Sequence, residues 1–212
     1  MDITEVILHQ HAEQRRMFGM LQEFPRDDTE GLAAVWERLQ ILLETHAEAE
    51  ERYFYPELLR LGTGAGDAAS AEEEVQDAVK DHNDIREAIR QVTDAEPGSD
   101  AWWTAVTDCD LHNSEHMAEE ERQDLADFRQ RTSLQLRHEI AVAFLRYESL
   151  KAATGIAPKD KDPQGYVARH ADEGPGPLAE RAAQQAERAE GTGPARSDSS
   201  KKASKEAVEE GS

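Results

Sequence analysis

The segment His46-Ala-Glu-Ala-Glu50-Glu51-Arg52 is answered 70 residues later by His116-Met-Ala-Glu-Glu120-Glu121-Arg122. In each, a histidine is followed four residues on by a glutamate, and positions four apart share one face of an α-helix. Each segment can therefore aim an imidazole and a carboxylate at one spot. Two further histidines, His11 and His82, precede these segments by 35 and 34 residues. Four helices contributing His, His plus Glu, His, and His plus Glu describe a metal site with room for two ions.

The surrounding apolar periodicity is helical almost throughout. A first helix is expected from about Thr4 to Phe24, with Ile3, Ile7, His11, Phe18 and Leu21 along one stripe. Pro25 ends it, and Thr29 is the expected cap of a second helix. That helix carries Val35, Leu39, Leu42, His46, Glu50 and Tyr53 in one seam. Pro56 should bend it or open a new segment before the glycine-rich turn at 62–66. Ser70-x-x-Glu73 is a capping box for a third helix striped by Val75, Val79, His82, Ile85, Ile89 and Val92. A fourth places Ala105, Cys109, His112, His116 and Glu120 on one face. Alternating runs rich in β-branched residues are absent. The expected fold is all-α, an up-down-up-down four-helix bundle whose halves are related by an internal repeat.

Residues 1–130 form the expected metal-binding bundle. Residues 131–154 read as an additional helix, with Leu134, Ile140, Phe144, Leu145 and Tyr147 supplying apolar surface. It could pack on the bundle, pair with a second copy or dock a protein partner. From Gly155 the chain turns rich in Pro, Gly, Ala, Ser and charge. Residues 155–212 are expected to be a disordered or weakly helical tail, with 177–190 helical only transiently.

The 212 residues carry a net charge of −21 and one cysteine, Cys109. So acidic a surface repels nucleic acid and anionic membranes, which are excluded as partners. No stretch approaches the roughly 18 apolar residues of a membrane span. The lone cysteine suits a reducing compartment, and the amino terminus lacks the basic and apolar runs of a secretory signal. The expected location is the cytoplasm.

A carboxylate facing a bundle core is costly unless charge compensates it. Glu50 and Glu120 run in phase with Leu, Val and His, so cations must compensate them. Mixed nitrogen and oxygen ligation suits Fe, Mn or Zn better than Ca or Mg. Four histidines and two glutamates, each spanning both ions, give about eight metal bonds, where two octahedral irons want about twelve. Oxo, hydroxo, water or an exchangeable small molecule would supply the rest, which favours redox or small-molecule chemistry. His112 reads as a hydrogen-bonded core histidine that could also be a fifth imidazole ligand. Tyr53, in phase with His46, or Tyr55 could reach the metals. Cys109 reads as an ordinary buried thiol, and His9, His138 and His170 as surface or tail residues. Glu51 and Glu121 should point about 100° away from the site and matter little to it.

These residues resemble the hemerythrin-like family, the HHE cation-binding domain. The resemblance covers about residues 4–130 and rests on His46-x-x-x-Glu50-Glu51 with Tyr55-Pro56, on His116-x-x-x-Glu120-Glu121, and on His11 and His82. It implies a non-heme di-iron centre, oxo- or hydroxo-bridged, ligated by His11, His46, Glu50, His82, His116 and Glu120. Oxygen-carrying members have a third-helix His-x-x-x-His and end in His-x-x-x-x-Asp, whereas Ala78 and Arg86 flank His82 here and the fourth helix offers His-x-x-x-Glu. The resemblance therefore implies action on, or sensing of, peroxide, oxygen or nitric oxide, with catalase- or peroxidase-like turnover one form of it. The alternative is an iron or diatomic-gas binding or sensing module without turnover.

Overall fold

The computed structural model describes residues 1–171 and 174–191. Among them the regular structure is helical, and four long helices carry the site: α1 (Ile3–Glu23), α2 (Thr29–Ala49), α4 (Ala71–Asp94) and α5 (Asp100–Arg122). Side-chain caps open each of them. Asp2 accepts from Thr4 N, Ser70 from Glu73 N and Ser99 from Trp102 N, which satisfies amide groups no helical partner can reach. The second helix is capped by Asp28 instead of Thr29: its Oδ1 accepts from Gly31 N at 3.0 Å, and Thr29 is already helical.

The expected break at Pro56 takes an unexpected form. Instead of stopping, α2 runs into a π-helical turn, Glu50–Phe54, and continues as α3 (Tyr55–Leu61), which carries Pro56 in its first turn. The Tyr55 amide donates to the Glu50 carbonyl, five residues back. One residue is thereby inserted into the helical ladder, and everything beyond it is rotated relative to a regular helix. Proline fits the start of α3 because its missing N–H falls where the α-helical ladder is already interrupted.

Apolar side chains form two clusters, and the chain visits them in alternating order. Along α1, Ile7 belongs to the first cluster and Met17, Phe18 and Leu21 to the second. On α2 the order reverses, from Leu39 and Leu43 in the second to Phe54 and Tyr55 beyond its end in the first. Helix α4 again runs from Val75 and Val79 to Ile85 and Ile89, and α5 starts in the second cluster with Trp102, Val106 and Cys109. This is the up-down-up-down arrangement. In every helix the histidine lies between the two clusters, so a polar layer crosses the bundle at mid-height.

Two more helices close the expected bundle and its extension: α6 (Asp124–Arg131) follows α5 almost directly, and α7 (Leu134–Lys151) is the additional helix. Helix α7 packs on α1 and α2, burying Ile140, Ala141 and Phe144, the first of its three expected options. The tail departs from expectation. Residues 163–170 form α8 (Pro163–His170), set against α3 and α4, and α9 (Pro177–Gly191) lies along α7. Tyr166 is 2% exposed and Ala182 5%. Polar composition hid this docking, because a single large aromatic ring and a small alanine suffice where the receiving surface is already built. Residues 192–212 of the expected tail lie outside the described residues. No helix among the described residues is long and apolar enough to cross a membrane.

Candidate metal centre

All six expected side chains converge in the polar layer, each no more than 3% exposed. They form two groups that could each hold a cation. His11, His46, Glu50 and Glu120 bring ligand atoms within 4.8 Å of one another, and Glu50, His82 and His116 do the same. Glu50 is common to both. The Nε2 atoms of His11 and His46 are 3.2 Å apart, and those of His82 and His116 3.1 Å. Glu120 departs from the expected double span: its Oε2 is 3.2 Å from His11 Nε2, while its Oε1 accepts from the Tyr55 hydroxyl at 3.2 Å.

What turns Nε2 inward on three of the four histidines is an outer partner on Nδ1. His11 Nδ1 donates to Glu121 Oε1 at 2.9 Å, and His82 Nδ1 to Glu51 Oε1 at 2.9 Å. Arg15 grips Glu121 at 2.8 Å and Arg86 grips Glu51 at 2.9 Å. His46 Nδ1 donates to Gln10 Oε1 at 2.6 Å, while His116 Nδ1 faces Asp81 at 3.8 Å, too far for a direct hydrogen bond. Gln10, His11 and Arg15 thus correspond to Asp81, His82 and Arg86, and Glu51 corresponds to Glu121. The internal repeat extends through the residues that orient the imidazoles.

Glu51 and Glu121 therefore overturn the expectation that they matter little. Glu51, in the π turn, is 3% exposed, and Glu121, on regular α-helix, makes the same contact. Each points away from the inward Nε2 atoms but reaches the outer Nδ1 of a histidine on a neighbouring helix. Glu51 also receives Lys161 Nζ, which bonds Glu48 Oε2 at 2.7 Å as well, and its backbone carbonyl accepts from the Tyr166 hydroxyl. Lys161 is itself fixed by Asn83, whose amide nitrogen donates to the Lys161 carbonyl at 2.7 Å and whose oxygen accepts from its N–H at 3.0 Å. The tail segment thus reaches the carboxylate that orients His82. The doubled Glu-Glu in both motifs was the signal in the sequence.

The π turn also decides between the tyrosines. Tyr55, not Tyr53, enters the site: it is fully buried, and its hydroxyl lies 3.4 Å from His82 Nε2. Tyr53 packs against Tyr147 at the edge of the core, with ring centroids 6.1 Å apart. His112 is only half-buried and belongs to neither group, so the fifth-imidazole option falls; α5 buries Asn113 instead. Cys109 is a buried thiol in the second apolar cluster, its pKa raised by burial.

The electrostatics show what the cluster demands. Burial and the neighbouring Glu120 charge push the Glu50 carboxyl well above its usual range. Burial also opposes ionisation of Glu120, but the surrounding imidazoles, His11 foremost, pull it down to about 2. Burial lowers His82 to about 4 and holds His46 well below the usual imidazole value. Burial likewise works against Glu51, yet His82, Arg86 and Lys161 bring it down to about 2. The His82–Glu51 pair is therefore a neutral imidazole donating to a carboxylate, with the charge of Glu51 matched by Arg86 and Lys161. Tyr55 is pushed well above 10 by burial and by the carboxylates beside it. Its hydroxyl acts as a donor.

Neither oxygen of Glu50, nor Oε2 of Glu120, receives a hydrogen bond, although His46 Nε2 lies 2.9 Å from Glu50 Oε1. Buried carboxylate oxygens without donors, facing paired imidazole lone pairs, are costly for a protein core. They fit a pair of cations. The family model described as Hemerythrin HHE cation binding domain matches residues 2–127, well over half of the chain.

This chain belongs to the hemerythrin HHE cation-binding domain family.

The match spans all six converging residues of the HHE domain and ends before α7, so Lys161 and Tyr166 act on it from outside. Comparisons with curated proteins and with solved structures give no match. Metal binding is thus the coarse function of this HHE protein.

Proposed function

We propose that the chain is a non-heme di-iron protein of the HHE family that acts on a small molecule such as peroxide, dioxygen or nitric oxide. The carrying observation is the sharing of Glu50 between two groups of inward Nε2 and carboxylate atoms, with both its oxygens free of donors. In this reading His11, His46, Glu50 and Glu120 hold one ion. His82, His116 and the other oxygen of Glu50 hold the second, with Tyr55 beside it. Imidazole with carboxylate favours Fe over Ca or Mg; Mn and Zn fit the same donors. Bound iron supplies a redox couple and coordination positions the protein leaves open.

The protein's own part is positional. Glu51, Glu121 and Gln10 fix the imidazole tautomers through Nδ1, and Tyr55 holds a proton on its hydroxyl toward Glu120. The two apolar clusters shield the layer from bulk water above and below. Elemental analysis and visible absorption of the purified chain test the centre. Two irons per chain are expected; fewer than one metal of any kind after iron loading would sink it. Peroxide loss faster than with equal free iron supports turnover.

A second reading, reversible binding or sensing without turnover, draws support from the strap formed by Lys161 and Tyr166. A change at His82 would be felt by Glu51, and through it by a segment outside the HHE domain. This reading expects a stoichiometric, reversible spectral change under nitric oxide or oxygen, with no peroxide turnover.

A further inference from the structure

A cleft of about 210 Å³ opens between α4, the end of α5 and the turn after α3, and its inner end touches His116 and Glu120. Eight of its twelve lining residues are Asp or Glu, and none is Lys or Arg. Asp67, Glu73, Asp77 and Glu119 stand exposed at the mouth. Glu74 and Asp124 lie deeper, 3% and 4% exposed. The basic side chains nearest the rim are themselves more than half exposed: Lys80, 3.9 Å from Asp81, and Arg122, 3.9 Å from Asp67.

Acidic side chains alone are a solvated surface. Glu74 makes this cleft different. Its Oε1 accepts from the Ala65 amide at 2.7 Å, which fixes the carboxylate, and its buried Oε2 receives no hydrogen bond. A positioned carboxylate oxygen without a donor, on the wall of a water-accessible cavity, is a ligand atom for a cation. At about 30 Å³ per water, the cavity has room for roughly seven waters, enough for the inner hydration shell of one octahedral ion. The low-dielectric walls concentrate the field of the carboxylates, raise the local concentration of cations and exclude anions.

We propose that this cleft is the route by which hydrated divalent metal ions reach the centre, with Glu74 as a staging ligand on the way to Glu120 and His116. The inference rests on the two-metal reading above. Asp81, half-buried on the cleft wall, stands 3.8 Å from His116 Nδ1, on the outer side of the imidazole away from its inward Nε2.

The test uses the full-length chain, stripped of metal with a chelator and mixed with Co(II) in a stopped-flow instrument. Uptake is followed by the visible bands of cobalt, and the final content by elemental analysis. Glu74→Gln, which keeps an oxygen for the Ala65 amide, should slow uptake about tenfold and leave the final content at two per chain. Asp77→Asn, at the exposed mouth where the fold is not at stake, should slow it several-fold and flatten its salt dependence. Wild-type uptake rates in both variants would overturn the route and leave the two-metal reading standing. Loss of one equivalent in Glu74→Gln would also overturn it, because Glu74 would then be a permanent ligand. No cobalt uptake by the parent chain would remove both.

Discussion

His82 Nδ1 donates to Glu51 Oε1 across 2.9 Å, deep in the core. The same hydrogen bond joins His11 to Glu121 on the other side of the repeat, also at 2.9 Å, but there the carboxylate is 28% exposed. One design is thus executed twice, once dry and once wet.

Glu51→Gln should weaken metal retention about 10- to 100-fold, the usual cost of removing the partner that orients a ligating histidine. Glu121→Gln should cost less, because water can replace the carboxylate on His11. Competition against a chelator of known affinity measures both. Equal, negligible losses would mean that the outer carboxylates do not orient the ligands.

Tyr55→Phe deletes the donor to Glu120 Oε1 and leaves the ring in its apolar seat. Metal content should stay at the parent value, while stability falls by about 1 kcal/mol, the net worth of a buried hydrogen bond. Halved metal content would instead make Tyr55 a ligand.

Lys161→Met removes the ammonium that meets both Glu48 and Glu51. Breaking one side of a mostly buried ion pair should destabilise the chain by about 1–3 kcal/mol, read as a lower Tm at fixed metal loading. Metal retention should fall with it. A stop after residue 154 should do both more strongly, since Tyr166 then leaves its seat as well.

Glu148 is raised from 4.5 to about 7 by burial, which the donation from Gln10 only partly offsets. Its folded state prefers the proton, so its contribution to stability is complete below about pH 4.5 and is lost as pH rises through about 7. Glu148→Gln keeps an acceptor for Gln10. The variant should melt above the parent at pH 8, with the difference vanishing near pH 4.5. Melting curves at several pH values and constant metal content check this. Glu74, also raised to about 7 by burial, keeps part of the slope in both proteins.

The bundle was legible because its cues are local and repeated: apolar stripes at helical spacing, the Ser70 cap, and histidines in phase with Leu and Val. The six converging residues were legible for the same reason, since each lies on a stretch of regular α-helix up to its own position. The choice between Tyr53 and Tyr55 stayed open because a π turn inserts one residue, and periodicity assumes a constant step. Glu51 and Glu121 were misjudged because their partners are the outer Nδ1 atoms of histidines on other helices, which the spacing within one helix does not reveal. Lys161 and Tyr166 escaped notice because their partners lie 110 and 115 residues away. Nothing in a polar segment announces a seat prepared for it elsewhere.

Because the polar layer separates the apolar clusters, the Trp36–Trp102 side and the Phe54–Phe128 side share few direct contacts across the waist. Packing changes on one side should then be energetically independent of those on the other. Either hydrophobic half is free to drift under selection while the ring of imidazoles between them keeps its shape.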